Sequence, residues 1–244
     1  MKKLSMAVIV FMITITASAQ FYIYYNDGNV IKVDSISMVA PEEKTDPYNG
    51  HEYVDLGLPS GLKWATCNVG AAQPEEYGDF FAWGETQPKD YYDWSTYKWC
   101  NSSDTTLTKY CINNSSWGTV DIKTTLDAED DAASVCWGGA WRMPDQEEQN
   151  ELRNNCTWTW ITQNGVNGYK VTSKKNGKSI FLPAAGYRYG GGSPSVTDSA
   201  GDYWSSSLAP SNPNKAYYLC SRSDLVSWGK SSRSWGHSVR PVCP

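Results

Sequence analysis

Histidine is nearly missing from this chain of 244 residues: His51 and His237 are the only two, near opposite ends of its main body. A hydrolytic triad would have to be built on one of them, and no Gly-x-Ser-x-Gly elbow is present to carry its nucleophile, so that chemistry is not expected. Charge is scarce too, at 19% of residues with a formal net of -5, and no basic run occurs. Nucleic acid and anionic membrane surfaces, which need clustered Lys and Arg, are therefore poor partners. No stretch reaches the roughly 18 uninterrupted apolar residues that a membrane-spanning helix needs. The seven cysteines contain no C-x-x-C and no zinc-ligand spacing, which argues against a structural metal. Gly190-Gly191-Gly192 lacks the Lys-Ser/Thr continuation of a phosphate-cradling loop and reads as a flexible turn. No pair of carboxylates is singled out for glycoside hydrolysis: Glu75-Glu76 follow Pro74 in a loop, and Glu129-Asp130-Asp131 read as first-turn acids of a helix.

The polar aromatic ring, by contrast, is abundant. Only 5 Phe stand against 12 Trp and 16 Tyr. Rings with an N–H or O–H handle suit wet recognition surfaces, although most are expected to serve the core. With 40% hydrophobic residues, and with 20 Gly and 12 Pro spread along the chain, the composition is that of one globular domain with small appendages.

Lys2 and Lys3 precede an apolar run from Met6 to Ile15, and Ala17-Ser18-Ala19 offers the small residues a signal peptidase needs. Residues 1–19 are thus expected to be a signal peptide, the mature chain beginning at Gln20 and being secreted, periplasmic or displayed at the cell surface. The first cysteine is Cys67, so none is placed for an N-terminal lipid anchor. Export puts the cysteines in an oxidising compartment, where pairing is favoured and an odd count leaves at least one thiol unpaired. Cys100 with Cys111, either side of a polar loop, and Cys220 with Cys243, on what read as neighbouring strands, are the candidate disulfides.

Residues 20–40 read as a β-hairpin, because Asn26-Asp27-Gly28-Asn29 separates the strand-like runs Phe21 to Tyr25 and Val30 to Val33. The polar stretch 41–50 reads as a linker and 51–244 as the main domain. Within it, one helix is expected from Asp127 to Val135, stopped by Gly138, and a second from the capping-box pair Asp145 and Glu148 to Asn154. Lys175-Asn176-Gly177-Lys178 marks a hairpin between Gly168–Ser173 and Ser179–Leu182. Tyr203–Ser206, Ala216–Cys220 and Ser238–Val242 are further strands, the last two expected side by side. Helices followed by an antiparallel cluster define an α+β class.

The run His51 to Gly70 (HEYVDLGLPSGLKWATCNVG) and Tyr77 to Thr86 (YGDFFAWGET) resemble the opening of the Fibrobacter succinogenes major paralogous domain family. Trp137 to Pro144, Ser179 to Arg188, Tyr203 to Ser207 and Ser238 to Val242 extend the likeness in order across residues 51–243. The resemblance implies a C-type-lectin-like fold, shared with formylglycine-generating enzymes, in exported and cell-surface proteins. Trp64, Trp83, Trp137, Trp141 and Trp204 lie in the matching blocks and are expected to be buried, with Arg142 and Arg240 bonded to carboxylates or carbonyls. The related oxidases use a reactive cysteine pair, which cannot be placed on any two cysteines here, so an oxidase is the alternative to a binding module. A structural subunit of a surface appendage, assembled through the N-terminal hairpin, is a third reading.

From Gly186 to Pro244 there is no Glu, Gln, Met, Ile or Phe, while Ser appears 14 times. This segment resembles the variable region of retroelement-diversified surface proteins, in which adenine-directed mutation of Asn-type codons yields Ser, Tyr, Asp and Gly. Trp204, Trp228, Trp235, Lys215 and Lys230 do not arise that way and would be fixed, and the codon rule leaves the missing Ile and Phe unexplained. A plain set of Ser-rich loops is the alternative. Such loops offer adaptable contacts at low ordering cost, so Tyr189, Asp202, Asn212, Asn214, Tyr218, Asp224, Trp228, Arg233, Trp235 and His237 are the expected ligand-binding residues, on one surface. The ligand would be a protein or a glycan. No cofactor is expected, and calcium stays open, although the Glu-Pro-Asn and Gln-Pro-Asp motifs of sugar-binding lectins are absent.

Overall fold

A computed structural model describes residues 21–24, 30–33, 46–112 and 115–244, so the expected signal peptide lies outside the described residues. The chain divides into two units between Lys44 and Thr45. In the first, β1 (Phe21–Tyr24) pairs antiparallel with β2 (Val30–Val33), Phe21 opposite Val33, as the intervening turn signal predicts.

The second unit begins earlier than residue 51. Asp46 accepts hydrogen bonds from the Tyr48 and Gly50 amides at 3.0 and 2.7 Å, and the Pro47 and Tyr48 carbonyls take the Ala140 amide and the Trp141 indole N–H at 2.8 and 2.7 Å. The expected linker 41–50 is therefore part of the domain from Asp46 onward, because its carbonyls satisfy donors of the core.

In chain order this unit contains β3 (Tyr53–Asp55), β4 (Lys63–Ala65), β5 (Tyr91–Tyr92), α1 (Ala132–Trp137), α2 (Gln146–Asn155), β6 (Cys156–Gln163), β7 (Val166–Ser173), β8 (Ser179–Pro183), β9 (Gly190–Gly191), β10 (Ala200–Leu208), β11 (Lys215–Arg222), β12 (Leu225–Ser232) and β13 (Val242–Cys243). Mostly antiparallel strands with two short α-helices make it α+β. The order β13-β4-β3 ties the two ends of the domain into one ladder, β6-β7-β8 form a meander, β5 pairs with β9, and β10-β11-β12 form the sheet of the C-terminal quarter.

Helix α2 starts as the sequence predicts: Asp145 accepts from the Glu148 amide while Glu148 reaches back to the Asp145 amide, which closes the capping box. The first helix differs. A 3₁₀ turn, Ala128–Asp130, precedes α1, and between them Asp131 is extended, its carboxylate accepting from the Ser134 amide at 3.0 Å and the Met143 amide at 2.8 Å. The expected pairing of Ala216–Cys220 with Ser238–Val242 is also corrected. The stretch after a two-residue turn at Ser223-Asp224 is itself β12, which takes one side of β11 while β10 takes the other. The segment around Ser238 instead lines the outer edge of β10, through Trp204 N–H to Ser238 O at 3.0 Å and Ser238 N–H to Asp202 O at 3.1 Å.

Trp64, Trp83, Trp137, Trp141 and Trp204 are all buried. Trp83, Trp141 and Trp204 also donate their indole N–H groups to the carbonyls of Ser205, Tyr48 and Phe81. Arg142 makes a bidentate pair with Glu148 at 2.7 and 2.6 Å, and buried Arg240 donates to the Ala65 and Thr66 carbonyls. Neither candidate disulfide forms; no bridge joins any of the seven cysteines. Cys220 and Cys243 stand in different sheets, on β11 and β13. The Cys100 thiol turns toward the Trp94 and Tyr97 carbonyls, while the Cys111 amide is tied to Asp121.

Candidate ligand-binding cleft

Five segments of the chain meet at one cleft of about 560 Å³. Asp93, Trp94 and Ser95 follow β5; Ser102 and Asp104 come from the next loop; Tyr189 precedes β9; Asn214 and Lys215 open β11; Ser232, Ser234 and Trp235 close β12. The pairing of β5 with β9 is what brings the Trp94 loop beside Tyr189, since Tyr91 lies opposite Gly191. Asp93 is locked by accepting from the Ser95 amide and hydroxyl at 2.8 and 2.6 Å, which turns the chain sharply and presents Trp94. The Trp94 ring in turn stands edge-on to Tyr97 at 5.3 Å.

A row of rings leads from the cleft over the sheet. Tyr189 leans on Trp235 at 5.1 Å; Trp235 lies flat on Tyr187 at 5.2 Å with planes 6° apart; Tyr187 meets His237 at 6.0 Å; His237 stacks on Tyr218 at 4.9 Å. Gly229 makes room for the last of these, because a Cβ there would stand 2.3 Å from the Tyr218 ring. Tyr189 is 62% exposed, Trp235 and Tyr218 are half-buried and His237 is buried, so the row runs from solvent into the protein.

The ten expected binding residues thus separate. Tyr189, Asn214 and Trp235 converge on the cleft, and Tyr218, His237 and Asp202 continue inward from it. Arg233 is corrected: it is fully buried, donating to the Tyr97 hydroxyl and to the carbonyls of Tyr110, Pro213 and Lys109 at 2.8–3.2 Å. Its guanidinium lies 5.0 Å from the Trp83 ring and 5.2 Å from Tyr97, so it fastens loops to the core and presents nothing to a ligand. His237 and Asp202 are buried as well, with too little side-chain surface open to meet a ligand. Trp228 packs against the cluster of Leu152, Tyr203 and Leu219 with Arg153 over its ring at 5.3 Å. It sits on the opposite face from Tyr218, because neighbouring positions of β11 and β12 alternate. Asp224 is exposed in the β11–β12 turn, and Asn212 is half-buried in the loop before β11. Trp94, Asp93, Asp104 and Tyr187 are the residues that sequence reading missed. For Trp94 the signal was the Asp-x-Ser turn, Asp93-Trp94-Ser95, whose middle residue it is.

The polar floor carries both signs. Asn214 donates Nδ2 to Asp104 at 3.0 Å, which fixes its amide orientation because a carboxylate only accepts; its Oδ1 is buried without a donor. Deeper in, burial pushes the Asp202 carboxyl up to about 6 and the His237 imidazole down to about 3. The two stand 3.7 Å apart, and His237 Nε2 meets the Ser231 hydroxyl at 2.8 Å. Burial likewise raises the Cys220, Cys243 and Cys156 thiols to about 11, so they stay protonated at neutral pH and are poor nucleophiles. Among the described residues, one group of three carboxylates has the spacing of a cation site: Asp127, Glu129 and Asp130. The Lys109 ammonium sits in it, 2.6 Å from Asp127 and Asp130 and 3.3 Å from Glu129.

Compared with family models, curated proteins and solved structures, the chain matches none. No helix among the described residues is long and apolar enough to cross a membrane.

Proposed function

We propose that this is an exported, cell-surface binding protein of the adhesin type, built on a C-type-lectin-like domain, whose ligand seats in the cleft between Trp94, Tyr189 and Trp235. One observation carries this reading: rings and polar groups from five separate segments converge there, with Tyr189 exposed and Trp94 and Trp235 half-buried. A concave site with aromatic walls and a few fixed polar groups is the usual form of a ligand site, and 560 Å³ lies within the range of about 300–1,000 Å³ typical of them. The ladder that joins the two ends of the domain supports the fold assignment.

The oxidase alternative is less well supported, because Cys220 and Cys243 stand in separate sheets with protonated thiols and no cysteine lines the cleft. Copper-dependent oxygen consumption on a cysteine-containing peptide, abolished by Cys220→Ser, would restore it. Diversification of the C-terminal quarter is a further part of the proposal. It predicts a near-copy of this coding segment and a reverse transcriptase gene in the flanking DNA.

The test of the binding role is capture of neighbouring-cell or host-surface material by the mature chain. Tyr189→Ala is expected to weaken capture by about 1–2 kcal/mol with the melting temperature unchanged, and Trp94→Ala to weaken it as much while also lowering the melting temperature, because that ring packs on Tyr97. Asp224→Ala, in the distant turn, is expected to leave capture intact. Loss of capture on deleting residues 20–40 from a still-folded chain would transfer the function to the hairpin.

A further inference from the structure

Resting on the reading of this cleft as the binding site, we infer that its ligand is a neutral saccharide, bound without calcium. Three features of the cleft carry the choice of class.

The walls are aromatic and differently inclined: Tyr189 is tilted 53° to Trp235, and Trp94 faces them from the loop after β5. Ring faces held at an angle suit the C–H faces of a pyranose and exclude water from them, an apolar contribution that does not depend on charge.

The floor and rim supply donors and acceptors together. Asp93 and Asp104 offer carboxylates, Lys215 an ammonium, and Ser95, Ser102 and Ser232 hydroxyls. Two carboxylates against one ammonium leave the cleft nearly balanced, so neither an anionic nor a polycationic ligand gains much from it. Beneath them buried Asn214 donates Nδ2 to Asp104, which holds that carboxylate in place at the cleft. A polyhydroxylated ligand, each of whose hydroxyls both donates and accepts, is the neutral class that uses all of these groups.

Calcium would need six to eight oxygen ligands. The cleft brings only two carboxylates, each with one oxygen engaged, Asp104 by Asn214 and Asp93 by Ser95; the second oxygen of each is left to accept from a ligand hydroxyl but falls well short of a calcium shell. The carboxylate trio elsewhere is filled by Lys109.

The experiment is a titration of the mature chain with neutral gluco-, xylo-, manno- and galacto-oligosaccharides at up to millimolar concentration, in chelator, followed by tryptophan fluorescence and by NMR of the indole N–H groups. The expected result is saturable binding that shifts the Trp94 and Trp235 signals, is the same with and without chelator, and falls roughly tenfold in Tyr189→Ala. Asp104→Asn, which keeps the shape of the side chain, is expected to weaken binding while the thermal midpoint stays in place. A parallel arm uses Lys/Arg-rich and acidic peptides. Peptide binding at Trp94 and Trp235 with no saccharide response would overturn the ligand class and leave the cleft as the site. Saccharide binding lost in chelator would overturn the calcium-free mode. Ligand capture with no change at either indole would remove the cleft itself.

Discussion

Arg233 brings a permanent charge into the interior, where an unpaired guanidinium would be very costly. Four acceptors and three aromatic faces around it offset that cost, which is why a residue that reads as a loop contact is a clamp. The buried pair below the cleft has a pH signature. His237 is held neutral, so the unfolded chain binds its proton below pH 6.5 and the folded chain does not until about 3. The stability this group contributes is present above 6.5 and is lost as pH falls toward 3. Asp202 acts in the opposite sense: with its folded value at about 6, its contribution is present at low pH and is lost as pH rises through 6. His237→Gln is therefore expected to gain on the wild type by about 1.4 kcal/mol per pH unit between pH 6 and 4, and Asp202→Asn to gain on it by about 2–3 kcal/mol from pH 4 to 7. Urea unfolding at pH 4, 6 and 7 measures both, and parallel pH profiles for the three proteins would refute the account. Trp141 serves packing and a hydrogen bond at once, so Trp141→Ala is expected to cost roughly 3–5 kcal/mol; an unchanged melting temperature would contradict its place in the core.

At the scale of elements, local chemistry was legible wherever one signal stood alone. The Asp145–Glu148 box sets the start of α2 within a residue, and Asp145→Ala is expected to lower stability by about 1 kcal/mol, read from the urea midpoint. The first helix was misread because two signals compete there. Asp131 continues an acidic first turn by composition, but its carboxylate caps a new helix and also holds Met143, and that double use breaks the helix in two. Strand β6 was missed although Asn164-Gly165 marks a two-residue hairpin, with φ of 49° and 86° joining Gln163 to Val166. The alternation of exposed Thr with half-buried Trp along β6 is itself a strand pattern, so this strand was legible in the sequence. Strand β12 leaves little trace in the sequence: it is Ser-rich and carries few of the residues that mark strands.

For the whole molecule, burial of the tryptophan core and the α+β class followed from sequence, because aromatic blocks and turn signals are local. The cleft followed only in part. Tyr189, Asn214 and Trp235 lie in one Ser- and Tyr-rich quarter, but the facing wall, Trp94 with Asp93 and Asp104, comes from a loop that only the β5–β9 pairing places there. Such a partner across the fold leaves no periodicity in the sequence. The central claim, that the cleft is where this protein meets its ligand, is tested most directly by covalent footprinting of Trp and Tyr side chains, with and without the captured surface material. The account predicts protection of Trp94, Tyr189 and Trp235, and no change at Tyr91, which is also exposed but lies outside the cleft. Unchanged labelling of those three rings, with protection confined to Trp228 or to the tyrosines of residues 21–24, would contradict it.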